Sequence, residues 1–133
     1  MGVTNRFLVI TKAELALRYN DISVLENMHC ATLFEMLNDD SMNILAGMEN
    51  DEWVNTRKII TDMILITDMS KHFDSLGTFR TRALIQNDIT IDKFEDRLFV
   101  LKMGLKCADL GHSAKNIKLH EQWSDKVCQE FFL

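Results

Sequence analysis

The chain has no proline and only five glycines in 133 residues, which removes the turn chemistry that a sheet-rich fold needs at short intervals. The class that remains is all-α, a compact multi-helix bundle. Cysteine is scarce too: Cys30, Cys107 and Cys128 are odd in number and widely spaced, fitting neither a disulfide framework nor a zinc knuckle and pointing to a reducing, cytoplasmic setting. Cationic excess is absent. Fifteen Lys and Arg face twenty Asp and Glu, for a net charge of -5, so no positive field draws phosphate backbones and nucleic acid is not an expected partner. The longest apolar runs, such as Met63 to Ile66 and Leu98 to Leu101, fall far below the ~20 residues of a membrane helix. No transmembrane segment is expected in this chain. Arg6 stands where a myristoylation signal needs Ser or Thr, and no signal-peptide pattern follows Met1. A Gly-rich phosphate loop and a G-x-S-x-G elbow are also missing.

What is present reads as helices. Apolar positions from Phe7 to Leu17 predict one short helix that ends at the turn signal Tyr19-Asn20-Asp21. Ser23 and Glu26 match a capping box, opening a helix from about Val24 to Leu37 with Leu25, His29, Leu33 and Met36 in one stripe. Asn38-Asp39-Asp40-Ser41 reads as a loop. A long helix follows from about Asp51 past Lys71, with Ile60, Met63, Ile64 and Thr67 inward and a weakening at Gly77 and Thr78. Asp92 and Glu95 resemble a second capping box, opening a helix that runs through Leu98, Leu101, Leu105 and Cys107 and stops near Gly111. From about Ser113, Trp123, Val127 and Phe131 recur every four residues and predict a buried aromatic stripe.

Two patterns carry chemistry: Glu26-x-x-His29 and Asp109-x-x-His112. Residues three apart share a helix face, so each pair can offer oxygen and nitrogen to a divalent metal. The capping box explains Glu26 equally, and His29 reads as a hydrogen-bonded histidine of the stripe. Asp109 lies among apolar and small residues in Leu105-Lys106-Cys107-Ala108-Asp109-Leu110-Gly111. A partly desolvated carboxylate there calls for a metal or an amide cluster; a helix-end hydrogen bond to Ser113 or Lys115 is the alternative. Thr67-Asp68-Met69-Ser70-Lys71-His72 is a polar cluster in an apolar helix, where Thr67 either bonds its own helix or holds a water beside a metal.

Taken in order, Tyr19-Asn20-Asp21-x-Ser23-Val24-Leu25-Glu26-Asn27, then Thr67-Asp68-Met69-Ser70-Lys71-His72, Cys107-Ala108-Asp109-Leu110, Gln122-Trp123-Ser124-Asp125 and Glu130-Phe131-Phe132 resemble the class I cyclic-nucleotide phosphodiesterase catalytic domain. The likeness runs from Gly2 to Leu133. It implies the central part of that HD-type all-α domain, taken as one partial domain over residues 1–133, and hydrolysis of the 3′,5′-cyclic phosphodiester of cAMP or cGMP by a hydroxide activated by two divalent metals, zinc and magnesium, with manganese as a substitute. By the same resemblance Asp109 is the metal ligand, Glu26 and Thr67 hold waters around the second metal, Met69, Leu110 and His112 line the nucleotide pocket, and Asn5 lies near its entrance. Only the tail of the family's His-Asp-x-x-His-x-Gly-x-x-Asn-x-Phe signature is present, as Gly2-x-x-Asn5-x-Phe7, and the purine-gripping glutamine has no counterpart. The isolated chain is therefore expected to be inactive. Met28 departs from the family's usual Glu-Asn-His-His. Two other readings stand beside this one: a ferritin-like dinuclear bundle using Glu26, His29, Asp109 and His112 with Glu14, Asp62 or Asp68, and a non-catalytic regulator derived from the phosphodiesterase fold.

Overall fold

The computed structural model describes residues 3–132, and no strand occurs among them. The chain forms α1 (Asn5–Ile10), α2 (Glu14–Arg18), α3 (Val24–Leu37), α4 (Asn50–Leu65), α5 (His72–Arg80), α6 (Phe94–Asp109) and α7 (Ile117–Phe131). Short 3₁₀ turns occupy Met69–Lys71 and Gly111–Ala114, and the π-helical stretch Thr81–Gln86 continues α5. Gly2, the first residue of the partial signature, lies outside the described residues, as does the side chain of Phe131.

The expected first helix is two helices. The Thr4 hydroxyl caps α1 by accepting from the Phe7 amide at 3.2 Å, and the Thr11 hydroxyl ends it by donating to the Phe7 carbonyl at 2.8 Å. Lys12 then takes a left-handed conformation, φ 54°, and reverses the chain without any glycine to announce it. The reversal brings Leu8 of α1, Ala16 of α2 and Val24 of α3 into one core, at 7%, 0% and 0% exposure. Ala16 is small enough for the backbones to approach, and burying Leu8 and Val24 contributes about 1.5–3 kcal/mol each. Asn20 and Asp21, the expected turn, are both left-handed, a conformation their short polar side chains tolerate.

α3 has the expected limits but not the expected inner face. Val24 and Cys30 are buried, whereas His29 and Met36 are exposed. α4 stops at Leu65 instead of continuing past Lys71. The Thr67 hydroxyl donates to the Ile64 carbonyl at 2.8 Å, and Asp68, extended at ψ 119°, accepts from the Ser70 amide at 2.8 Å to start the next turn. Ile60, Met63, Ile64 and Thr67 are each half-buried. Gly77 sits inside α5 and does not end it. α6 ends at Asp109, just short of Gly111. α7 departs most from expectation: Trp123 is 47% exposed, Val127 is half-buried, and no described side chain of the helix is buried.

Candidate functional site

Neither predicted capping box forms, and at the first one the freed side chains tie the site together. Ser23 precedes α3 in a left-handed conformation, φ 43°, with no side-chain bond to its own helix. Its buried hydroxyl donates instead to Asp68 Oδ2 at 2.7 Å, across 45 residues. Glu26 does not reach back to Ser23; its Oε2 accepts from Asn5 Nδ2 at 2.8 Å. Asn5 Oδ1 in turn accepts from the Leu25 amide at 2.9 Å, so an asparagine from α1 satisfies an end amide of α3 that a Ser side chain ordinarily takes. A non-glycine residue held left-handed is worth ~1–2 kcal/mol of strain, and here it accompanies a contact across 45 residues of sequence beside a candidate site residue.

Asp68 is the electrostatic centre of this junction. It is 6% exposed. Burial pushes its carboxyl up, but the hydroxyl of Ser23, the amide and hydroxyl of Ser70, and the charge of Lys71 together outweigh burial and hold it below the usual carboxylate range. On the other side of the junction, buried Lys106 of α6 donates from Nζ to the Ile66 carbonyl at 2.7 Å, closing the C-terminus of α4 with a cation. Lys102 Nζ reaches Asp62 Oδ2 one turn earlier at 3.1 Å. The segment Ile66-Thr67-Asp68 is thus held from two sides, by the start of α3 and by the last turns of α6.

The structure sorts the predicted site residues accordingly. Glu26, Asn5 and Thr67 gather around the Ser23–Asp68 link, and Asp109 stands one turn beyond Lys106 on α6. Asp109 is exposed, a correction to the expected desolvation, because it is the final residue of α6 and its carboxylate opens onto a cavity of about 360 Å³. His112, Lys115 and Trp123 line the same cavity. Leu110 lines a neighbouring cavity of about 260 Å³ with His72, Met103, Lys106 and Cys107, and Gly111 belongs to both. Met69 is 53% exposed on its 3₁₀ turn. Among the described residues no bond joins Asp109 to Glu26 or Thr67, and no three His, Cys, Asp or Glu side chains converge. The ferritin-like reading therefore finds no assembled site. Its extra carboxylates are engaged elsewhere: Glu14 with Arg18, Asp62 with Lys102, and Asp68 with Ser23.

Three features are not read from the sequence. Lys106 figures there only as a neighbour of Asp109, His72 only as the end of a polar cluster, although its buried Nδ1 has no partner among the described residues, and His120 pairs with His112, Nδ1 to Nδ1 at 3.2 Å. A lysine amid apolar residues at the last turn of a helix was a visible signal for the first. The other two depend on tertiary placement.

The family described as "3'5'-cyclic nucleotide phosphodiesterase" matches residues 1–133, and the chain belongs to it. Among curated proteins it is 38% identical to the "3',5'-cyclic-AMP phosphodiesterase 4C" of Rattus norvegicus, over 98% of this chain and 25% of that protein. The protein of the same name from Mus musculus is also 38% identical, with 20% of its length covered. The chain thus spans a quarter or less of the curated relatives it matches. Its fold matches the crystal structure of the phosphodiesterase domain of the RhoPDE fusion protein from the choanoflagellate Salpingoeca rosetta, with a TM-score of 0.93 and 36% identity over 98% of this chain and 42% of that one. The all-α expectation and the family resemblance are both borne out.

Proposed function

We propose that residues 1–133 form part of the catalytic domain of a cyclic-nucleotide phosphodiesterase that opens the 3′,5′-cyclic phosphodiester of cAMP or cGMP to the 5′-monophosphate. The names of the curated relatives favour cAMP. One observation carries the reading: in a chain of this family, the start of α3, the Ile66-Thr67-Asp68 segment and the last turns of α6 are locked to one another by Ser23–Asp68 and Lys106–Ile66. Those are the segments that hold Glu26, Thr67 and Asp109.

In this proposal Asp109 supplies one carboxylate ligand to a divalent ion. Its exposure, its open cavity and its neighbouring imidazole suit that donor chemistry, but one carboxylate is only part of a coordination sphere. Two divalent ions, zinc and magnesium or manganese, when bound, provide Lewis acidity and an activated water. Glu26 retains a carboxylate oxygen beyond its bond from Asn5 and orients water there, with Asn5 fixing its direction. The Thr67 hydroxyl proton is taken by Ile64, which leaves its oxygen lone pairs as acceptors for a second water. Leu110 and His112 line the nucleotide side, with Met69 at the exposed margin. A reducing, cytoplasmic setting fits three cysteines that are all free, and no described helix is long and apolar enough to cross a membrane.

The test replaces the matching segment of the rat 4C enzyme with residues 1–133 and assays cAMP and cGMP hydrolysis with zinc and magnesium. Hydrolysis is expected, with Asp109→Asn losing more than the ~10–100-fold that removal of an outer partner such as Glu26 costs. The 133-residue chain alone should show negligible turnover, because its described residues present no convergent donor set. A folded chimera without hydrolysis, or one indifferent to Asp109→Asn, overturns the assignment.

A further inference from the structure

We propose that His112 and His120 form a two-imidazole chelate for a borderline divalent cation such as zinc, separate from the role assigned to Asp109. His112 comes from the turn Gly111–Ala114 and His120 from the first turns of α7, so Asn116 and the short link between them set the geometry. Asn116 caps α7 by accepting from the Leu119 amide at 3.1 Å, which fixes where His120 starts.

The two rings are nearly parallel, 9° apart, with centroids separated by 5.2 Å. That separation is the 3.2 Å Nδ1···Nδ1 contact plus most of two ring radii, so the rings meet edge to edge and not face over face. Two Nδ1 atoms at this distance cannot both carry hydrogen. One donates, the other accepts with its lone pair, and a single shared proton holds the contact. A metal fits the same interval. The edge of a tetrahedron with zinc–imidazole arms of ~2.0–2.1 Å is about 3.3 Å, close to the 3.2 Å nitrogen spacing, and each ring has only to turn its lone pair off the Nδ1···Nδ1 line toward the ion.

Zinc binding then requires one rearrangement that balances simply. The donating ring moves its proton from Nδ1 to Nε2 through solvent, both Nδ1 lone pairs bind the ion, and both rings end as Nε2–H tautomers. Both rings are half-buried, so water can complete the coordination. Imidazole selects zinc, copper or nickel over magnesium, which prefers oxygen. Lys115, in the cavity that His112 shares with Asp109, opposes the ion electrostatically and tempers affinity.

Zinc titrated into the 133-residue chain carrying Cys107→Ser and Cys128→Ser, which removes its two exposed thiols, tests this by calorimetry and by the ¹⁵N resonances of the imidazoles. One equivalent is expected, with Nδ1 ligation and Nε2–H on His112 and His120 only. His112→Phe and His120→Phe should each weaken binding about tenfold or more; His120→Gln should do the same while keeping a polar side chain at the contact, should the phenylalanine disturb folding. His29→Ala, on an exposed site of α3, should change nothing. Asp109→Asn should also leave this binding intact, so the chelate and the phosphodiesterase assignment fail independently. Undiminished affinity in the folded His120 variants, loss in Asp109→Asn, or ligation through Nε2 overturns the proposal.

Discussion

The first three helices bury Leu8, Ala16 and Val24 against one another, whereas α7 buries none of its described side chains and leaves Ile117 66% and Trp123 47% exposed. Length explains much of the contrast. α1 and α2 have 6 and 5 residues, too few to persist without tertiary packing, because a helix nucleus is costly and each added bond returns little. They exist because the core holds them. α6 and α7 have 16 and 15 residues and sustain more of their own ladders. α6 also buries Leu98 and Met103, and directed bonds complete the attachments: Lys106 on Ile66, His112 on His120, and Arg82 of the π-helical stretch on buried Asp96 at 2.9 Å. The first three helices are specified by apolar volume, α6 by apolar burial together with directed bonds, and α7 by few contacts beside apolar surface that stays open.

The contrast is tested first where it is strongest. Leu8→Ala should cost about 2–5 kcal/mol, read as a lower urea midpoint, and should melt α1 and α2 together because Ala16 and Val24 lose the same partner. A loss under ~1 kcal/mol would mean the core is not what holds these short helices. The next effect is at the junction. Asp68→Ala strips the Ser23 hydroxyl and the Ser70 amide of their acceptor, and should cost about 1–3 kcal/mol. The charged form of Asp68 is the stabilising one. With its carboxyl held below the unfolded value of about 3.9, its contribution is complete above that pH and is lost as pH falls through the lower folded value. Asp96 acts in the same direction: the Thr90 amide first, then Arg82, hold its carboxyl down against burial. Acid below about pH 4 should therefore loosen both regions. Asp68→Asn should reduce the acid sensitivity of unfolding, and an unchanged profile would contradict the link.

The starts of α3, α4 and α6 were legible because polar residues mark them, even where the bonds that marking predicts are absent. The Ser23 and Glu26 pattern placed α3 at Val24, yet Ser23 serves Asp68 and Glu26 serves Asn5. A local pattern cannot register partners 45 and 21 residues away. The reversal at Lys12 was invisible for a different reason: its left-handed backbone has no Gly, Asn or Asp to signal it. The break after Leu65 left a trace, since Asp68 two residues before Ser70 is the spacing of an Asx cap. Periodicity misjudged the inner face of α3 and Trp123 of α7, because an apolar stripe shows which face can be buried and not whether anything covers it. Of the site, ordered motifs supplied the family and the candidate residues. The locks between them, Ser23–Asp68 and Lys106–Ile66, came only with coordinates.

The smallest expected effect is the sharpest probe of the exposed side. Ile117→Ala removes a large apolar side chain, yet at 66% exposure there is little burial to lose, and alanine favours a helix over isoleucine by a few tenths of a kcal/mol. The two terms nearly cancel, so the stability read by urea unfolding at two protein concentrations should stay within about 0.5 kcal/mol of the parent. Independence from concentration is the expected result. A loss comparable to Leu8→Ala that grows with concentration would show α7 buried against a second copy, and the division between a packed region and an open one would then describe the single chain only.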